Sequence, residues 1–165
     1  MPSIRLREGD GRSNGFALTT YGSTTLRFEV LGIPVAWARS RARFVEGQRP
    51  TFFKAPTQRA NQKTIGQLAA YARGSVDIWE VPVELECIFF FPVAKSWAPW
   101  RRAQALAGQI MHTKKPDTDN LIKQVKDACT GILWRDDTFV VDTVGRKRYG
   151  ETPRTVVVVR SLVRV

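Results

Sequence analysis

The chain has one histidine and two cysteines in 165 residues, and both scarcities exclude chemistry. His112 has no cysteine or histidine companion at ligand spacing, which argues against a zinc centre and against a Ser-His-Asp mechanism. It is read as a surface residue. Cys87 and Cys129 sit inside apolar patterns without a C-x-x-C spacing, so they are expected to be reduced core residues rather than a disulfide or a metal site. Long apolar runs are missing too. The longest, Cys87 to Val93, falls well short of the ~20 residues a spanning helix needs and reads as a buried strand, so no membrane is expected as a partner. The segment MPSIRLREGDGRSNG carries no apolar stretch of the signal-peptide kind, which makes the cytoplasm the expected location. Acidic residues are the last scarcity: 15 Asp and Glu face 26 Lys and Arg, leaving a net charge of +11. That balance favours a polyanionic partner, nucleic acid above all, over a neutral small molecule.

What remains fits one compact domain, long enough for a real core and too short for two. Residues 1–24 show no period of 2 or 3.6 and are expected to form a flexible arm ahead of a domain over 25–165. From Thr25 to Ile33, alternation of Leu26, Phe28 and Val30 with Arg27 and Glu29 predicts a strand that ends at Gly32 to Pro34. Ile65, Leu68, Ala69 and Ala72 predict a helix over Pro56 to Arg73, stopped by Gly74. VPVELECIFFFPV, residues 81–93, predicts a central strand whose second half is buried on both faces. A short helix capped by Ser96 follows and ends near Gly108. Leu121, Ile122, Val125, Ala128 and Cys129 form the apolar stripe of a helix from Asn120 to Thr130, with Lys123, Lys126 and Asp127 away from the stripe and Gly131 as its stop. Phe139 to Tyr149 and Thr155 to Val163, separated by Gly150 to Pro153, read as a closing hairpin. The expected fold is α+β, a small mixed sheet with helices packed on it.

Aspartate is unevenly spread. Six of the 15 acidic residues fall between Asp117 and Asp142, where an even spread would put about two or three, and all six are Asp. Pro116 extends the backbone ahead of Asp117, and Asp119 or Asn120 is placed to cap the helix that follows. An extended D-x-D would point the carboxylates of Asp117 and Asp119 the same way. A second pair, Asp136 and Asp137, lies one helix and a turn later, within reach of the first if the Gly131 to Trp134 turn brings the chain back. Magnesium or manganese ions want such oxygen ligands and keep water for substrate. Carboxylates around one point inside a positive protein suit phosphodiester hydrolysis, with surrounding Lys and Arg holding the nucleic acid. Lys123, one helical turn after Asp119, would stand over the same place and stabilise charge. Each piece alone has an ordinary explanation: Asp119 as a cap, Lys123 with Asp127 as a surface pair, Asp136-Asp137 as a turn, Asp142 as a polar strand position. Caps and turns do not explain Asp117, nor why two acidic pairs bracket one helix.

The stretch K-P-D-T-D-N-L-I-K-Q-V-K-D-A-C-T-G-I-L-W-R-D-D-T-F-V-V-D, Lys115 to Asp142, closely resembles the signature of the RusA family of Holliday junction resolvases. Weaker similarity reaches Gly32 to Arg43 and the Ser96-Trp97 region, as in the phage and prophage branch of that family. The resemblance implies a homodimeric, Mg2+-dependent endonuclease, with Mn2+ able to substitute, that makes paired nicks in four-way DNA junctions during recombination and repair. It implies that Asp117, Asp119 and Asp137 are catalytic metal ligands and Lys123 the catalytic lysine, with Asp136 a further metal-binding candidate and Asp127 a supporting acid. Strand 83–91 and the closing hairpin are the candidate dimer surfaces.

The remaining basic residues are candidates for DNA contact: Arg39, Arg41 and Arg43 on an expected loop with Phe44, Phe52, Phe53 and Lys54 nearby; Lys114 and Lys115 beside Asp117; Lys126; and Arg146 and Lys147 with Arg148 in a strand. Trp97 and Trp100 read as helix packing, and Trp134 as packing beneath the site. Two other functions stay open on sequence alone: a non-catalytic DNA-binding module, and a metal-dependent nuclease for other branched nucleic acids.

Overall fold

The computed structural model describes residues 25–39, 41–43, 46–47, 49, 51–53 and 55–163, with the backbone alone for 41–43 and 51–53. The expected arm, residues 1–24, lies outside the described residues, as do Phe44, Lys54 and the side chains of Arg41, Arg43, Phe52 and Phe53. In chain order the elements are β1 (Thr25–Leu31), β2 (Arg41–Arg43), β3 (Thr51–Phe53), α1 (Pro56–Arg73), β4 (Val83–Pro92), α2 (Pro99–Leu106), α3 (Thr118–Cys129), a 3-10 turn (Asp137–Phe139), β5 (Val140–Gly150) and β6 (Arg154–Ser161). The fold is α+β, as expected, with a mixed four-stranded sheet. Among the described residues no helix is long and apolar enough to cross a membrane.

Strands order as β1-β6-β4-β5, with β6 antiparallel to β1 and β4, and β5 parallel to β4. The closing hairpin expected from Phe139 to Val163 is therefore corrected. β5 and β6 follow each other in the chain but do not pair; β4 lies between them. The reason is burial. Val156 to Val159 are all buried, which requires a neighbour on each edge and cover on both faces, whereas β5 carries Gly145 to Arg148 and tolerates an edge. The basic segment at Arg41 and Arg43 is likewise a short strand, β2, paired with β3, and not a loop. Its three-residue length leaves no alternation to detect.

One face of the sheet is apolar and covered by helices. Leu26, Phe28 and Val30 of β1, Val157 and Val159 of β6, and Leu85, Cys87 and Phe89 of β4 form one cluster with Ile65 and Ala69 of α1 and Leu121, Val125 and Cys129 of α3. Each buried Val, Leu, Ile or Phe among them contributes about 1.5–3 kcal/mol relative to exposure. Both cysteines are free and buried, as expected. Trp134 is fully buried, and its indole Nε1 donates to Thr130 Oγ1 at 3.1 Å.

The opposite face is closed by its own charges. Arg160 bonds Glu84 and Glu86, Arg146 bonds Glu86, and Arg154 Nε stands 3.5 Å from Glu29 Oε2. The guanidinium of Arg154 also covers the Phe90 ring at 4.1 Å. These side chains lie over Val156 and Val158 of β6. β4 is interior to the sheet, so β1 and β5 hold its free edges, and strand 83–91 can meet another molecule only through its outer-face side chains.

Candidate active site

The site is built on α3 and the part of β5 beneath it. Leu121, Gln124, Val125, Ala128 and Cys129 are buried, which turns Asp119, Lys123, Lys126 and Asp127 out of the core on the same helix. The helix comes unusually close to β5: a Cβ at Gly145 would lie 2.6 Å from Ile122 Cδ1 and 2.6 Å from Thr118 Cγ2. A Cβ there would force both side chains to shift, and the first turn of α3 is seated on the strand at that point.

Asp119, Ile122, Lys123, Lys126, Asp127, Asp137 and Thr143 line one open cavity of about 320 Å³. The fold thus joins one member of each acidic pair, Asp119 and Asp137, with Asp127 and two lysines. Lys123 Nζ is 3.8 Å from Asp127 Oδ1 and 4.9 Å from the centre of the Trp37 ring. The Trp37 backbone N–H donates to Asn120 O at 2.8 Å, which ties the segment after β1 to α3.

Asp117 and Asp136 do not line this cavity. Asp117 is the residue that precedes α3, in extended conformation, and its carbonyl accepts from the Leu121 N–H at 3.2 Å. The helix starts at Thr118, so the extended D-x-D expected from sequence is corrected: Asp119 already lies in the first helical turn. Nor does Asp119 or Asn120 cap the helix. Asp117 occupies the capping position but its carboxylate makes no capping bond, and it is exposed. Asp136 does cap: its Oδ1 accepts from the Thr138 N–H at 2.9 Å at the start of the 3-10 turn. That bond holds its carboxyl below the usual carboxylate range.

The basic candidates separate. Lys114 and Lys115 are exposed beside Asp117, and neither makes an ion pair among the described residues. Arg39 is exposed after the Trp37 segment. Arg146 lies on the outer sheet face, bonded to Glu86, and is not brought to the cavity. Lys147 points the other way, where Nζ donates to Lys114 O at 2.7 Å and Pro116 O at 3.0 Å.

His112, expected at the surface, is buried and stacked on Phe91 with ring centroids 4.0 Å apart, and it tilts against Tyr149 at 5.1 Å. Burial, with Lys147 and Lys114 nearby, pushes its imidazole below the ordinary value. Trp97 packs on Tyr149 at 5.3 Å, as expected, whereas Trp100 is 65% exposed and has no such ring contact among the described residues. Trp37 and Thr143 beside the cavity have no signal in the sequence, because a lone Trp after a strand and a Thr in a strand are ordinary.

The family model described as Endodeoxyribonuclease RusA matches residues 32–160. The chain belongs to the RusA endodeoxyribonuclease family. The RusA match takes in the Trp37 segment, all three helices, β5 and every residue lining the cavity, and begins just after β1. A relative in Bacillus subtilis (strain 168), "Uncharacterized protein YqaN", is 32% identical over 139 residues, 83% of this chain and 96% of that protein. Membership in the RusA family makes this a nuclease, a hydrolase of phosphodiester bonds.

A divalent cation is the group such a site implies. Among the described residues no three or more His, Cys, Asp or Glu side chains stand close enough together to hold a metal ion by themselves. The cavity instead offers carboxylate oxygens around open space, with cations beside them and room for water and phosphate oxygens. That donor set fits a hard ion such as Mg2+ or Mn2+, which takes oxygen ligands and keeps several waters, and does not fit zinc.

Proposed function

We propose that this protein is a Mg2+-dependent, structure-selective endonuclease that resolves four-way DNA junctions by paired phosphodiester hydrolysis in recombination and repair. The observation that carries the reading is the cavity in which Asp119, Asp127 and Asp137 meet Lys123 and Lys126, in a member of an endodeoxyribonuclease family with a net charge of +11. In this reading Asp119 and Asp137 hold the cation, with Asp117 and Asp136, each next in sequence to an element that carries a cavity residue, as further ligands and Asp127 as support. The cation supplies positive charge toward the scissile phosphate and Lewis acidity toward water.

The chain's own residues account for the rest. Lys123, held between Asp127 and the Trp37 ring, presents its ammonium to the negative charge that grows on the phosphate and the leaving oxygen. Water oxygen bonds to phosphorus as the P–O3′ bond breaks; the water's protons pass to solvent, solvent returns one to the leaving O3′, and the products carry a 5′-phosphate and a 3′-hydroxyl. Lys114, Lys115 and Lys126 hold the flanking backbone through charge, without reading sequence. Two copies belong to the proposal because a four-way junction has approximate two-fold symmetry, and two sites related by that axis would cut opposing strands. The expected setting is the cytoplasm of a bacterial or phage-infected cell.

A labelled four-way junction incubated with Mg2+ tests this directly. The wild-type protein nicks two opposing strands, and Asp119→Asn lowers the rate by more than the ~10–100-fold typical of losing an outer-shell partner of a metal. Salt-sensitive junction binding with no cleavage, indifferent to Mg2+ and to Asp119→Asn, would return the protein to a non-catalytic DNA-binding module. Equal cleavage of flaps, forks or RNA removes the junction from the reading and leaves the nuclease.

A further inference from the structure

The inward face of β5 carries Thr143, Gly145, Lys147 and Tyr149 in alternation, and each meets a different part of the site's support. Thr143 lines the cavity. Gly145 seats the first turn of α3. Tyr149 packs against His112 and Trp97. Lys147 lies between them, and its ammonium donates to two backbone carbonyls of the segment that leads into Asp117.

We propose that Lys147 is a positioning residue for the metal-holding segment and not a phosphate ligand. This rests on the functional reading given above. The Pro116 carbonyl that accepts from Lys147 at 3.0 Å belongs to the same planar peptide unit as the Asp117 N–H, so fixing that oxygen fixes the plane from which Asp117 leaves. The second bond, to Lys114 O at 2.7 Å, stops the segment from rotating about the first. Asp117 needs such a device, since its carboxylate makes no capping bond of its own to hold it against α3. Two of the three ammonium hydrogens of Lys147 are committed to carbonyls, which leaves it one donor and little freedom to follow a phosphate, while Lys114 and Lys115 are already exposed beside it.

The test uses Lys147→Met in the full chain, with three readouts: Mn2+ binding to the protein alone by electron paramagnetic resonance, metal-free junction binding across a salt series, and junction cleavage against Mg2+ concentration. Expected are a loss of Mn2+ affinity of about tenfold or more, the scale of an outer-shell partner, a matching rise in the Mg2+ needed for half-maximal cleavage, and unchanged metal-free binding and salt slope. Lys147→Arg, which keeps donors for both carbonyls, recovers most of the metal affinity. Wild-type Mn2+ affinity in Lys147→Met overturns the proposal, and so does weaker metal-free binding with a salt slope reduced by about 1, the mark of a phosphate contact. Should Lys147→Met melt early, a folded Lys147→Gln with wild-type Mn2+ affinity overturns it equally. The Mn2+ titration stands even if the wild-type protein fails to cut junctions, so the two failures are distinguishable.

Discussion

The two faces of the sheet use acidic and basic side chains for opposite ends. On the outer face Arg146, Arg154 and Arg160 are matched by Glu29, Glu84 and Glu86, and together they cover Val156 and Val158. On the helix-covered side, Asp119, Asp127 and Asp137 gather with Lys123 and Lys126 around open space, and Lys114 and Lys115 stand exposed nearby. The outer face satisfies its charges internally and becomes structure. Apart from the loose Lys123–Asp127 pair at 3.8 Å, the helix-covered side leaves its carboxylates and ammonium groups facing open space, where a cation and a phosphate chain could complete them. Net charge alone does not distinguish these uses; the pairing does.

The sharpest way to break that contrast is to remove one acid from each face. Asp137→Asn is expected to abolish junction cleavage, beyond the ~10–100-fold of an outer-shell loss, with little change in melting temperature. Glu86→Gln is expected to do the reverse, keeping cleavage while lowering stability by about 1 kcal/mol after solvent screening, a fall in Tm of about 3–5 °C. Its pH dependence has a definite sign. The Arg160 hydrogen bond, with Arg146 nearby, holds the Glu86 carboxyl below its ordinary value, so its contribution is full above the unfolded carboxylate value and disappears as pH falls through the lowered folded one. Thermal melts of wild type and Glu86→Gln should therefore converge in acid. An Asp137→Asn protein that still cuts, or a Glu86→Gln protein that folds as well as wild type but no longer cuts, would erase the distinction between the faces.

A smaller effect separates the basic residues. Lys114→Ala with Lys115→Ala is expected to reduce the slope of log affinity against log salt by about 2, since each phosphate left without its lysine keeps about one counterion. Arg146→Ala, taken from the outer face, should leave that slope unchanged. Equal reductions in both variants in a fluorescence-anisotropy salt series would mean that DNA reaches both faces.

Much of this arrangement is legible in the sequence wherever the determining contacts are local. α1 spans Pro56–Arg73, as its periodicity and Gly74 predict, and the stripe on α3 places Lys123 and Asp127 away from the core. The excess of Asp between 117 and 142 points to the cavity. What does not show depends on partners far along the chain. Arg146 reads as a DNA contact because Glu86, its partner, is 60 residues away. β5 and β6 read as a hairpin because three residues join them, although the unbroken valines of β6 already match a central strand. The division of the acidic pairs is hidden for another reason: starting α3 at Thr118 rather than Asn120 changes the direction of Asp119, and so small a shift of a helix boundary lies below what capping signals resolve.

His112 gives the mildest test of the same principle, that burial by distant residues decides what a side chain is for. Phe91, Tyr149 and Lys147 surround it from two strands, so the folded protein holds a neutral imidazole whose proton affinity is lowered chiefly by burial. The unfolded chain, with an ordinary imidazole near 6.5, takes up a proton first as pH falls. Stability from this residue is thus full above that value and declines below it, toward the lowered folded value. Melting curves between about pH 7.5 and 5.5 should show a decline smaller than that of Glu86→Gln, and His112→Phe, which keeps the stack on Phe91, should flatten it. The same decline in His112→Phe would show that the histidine is not its source.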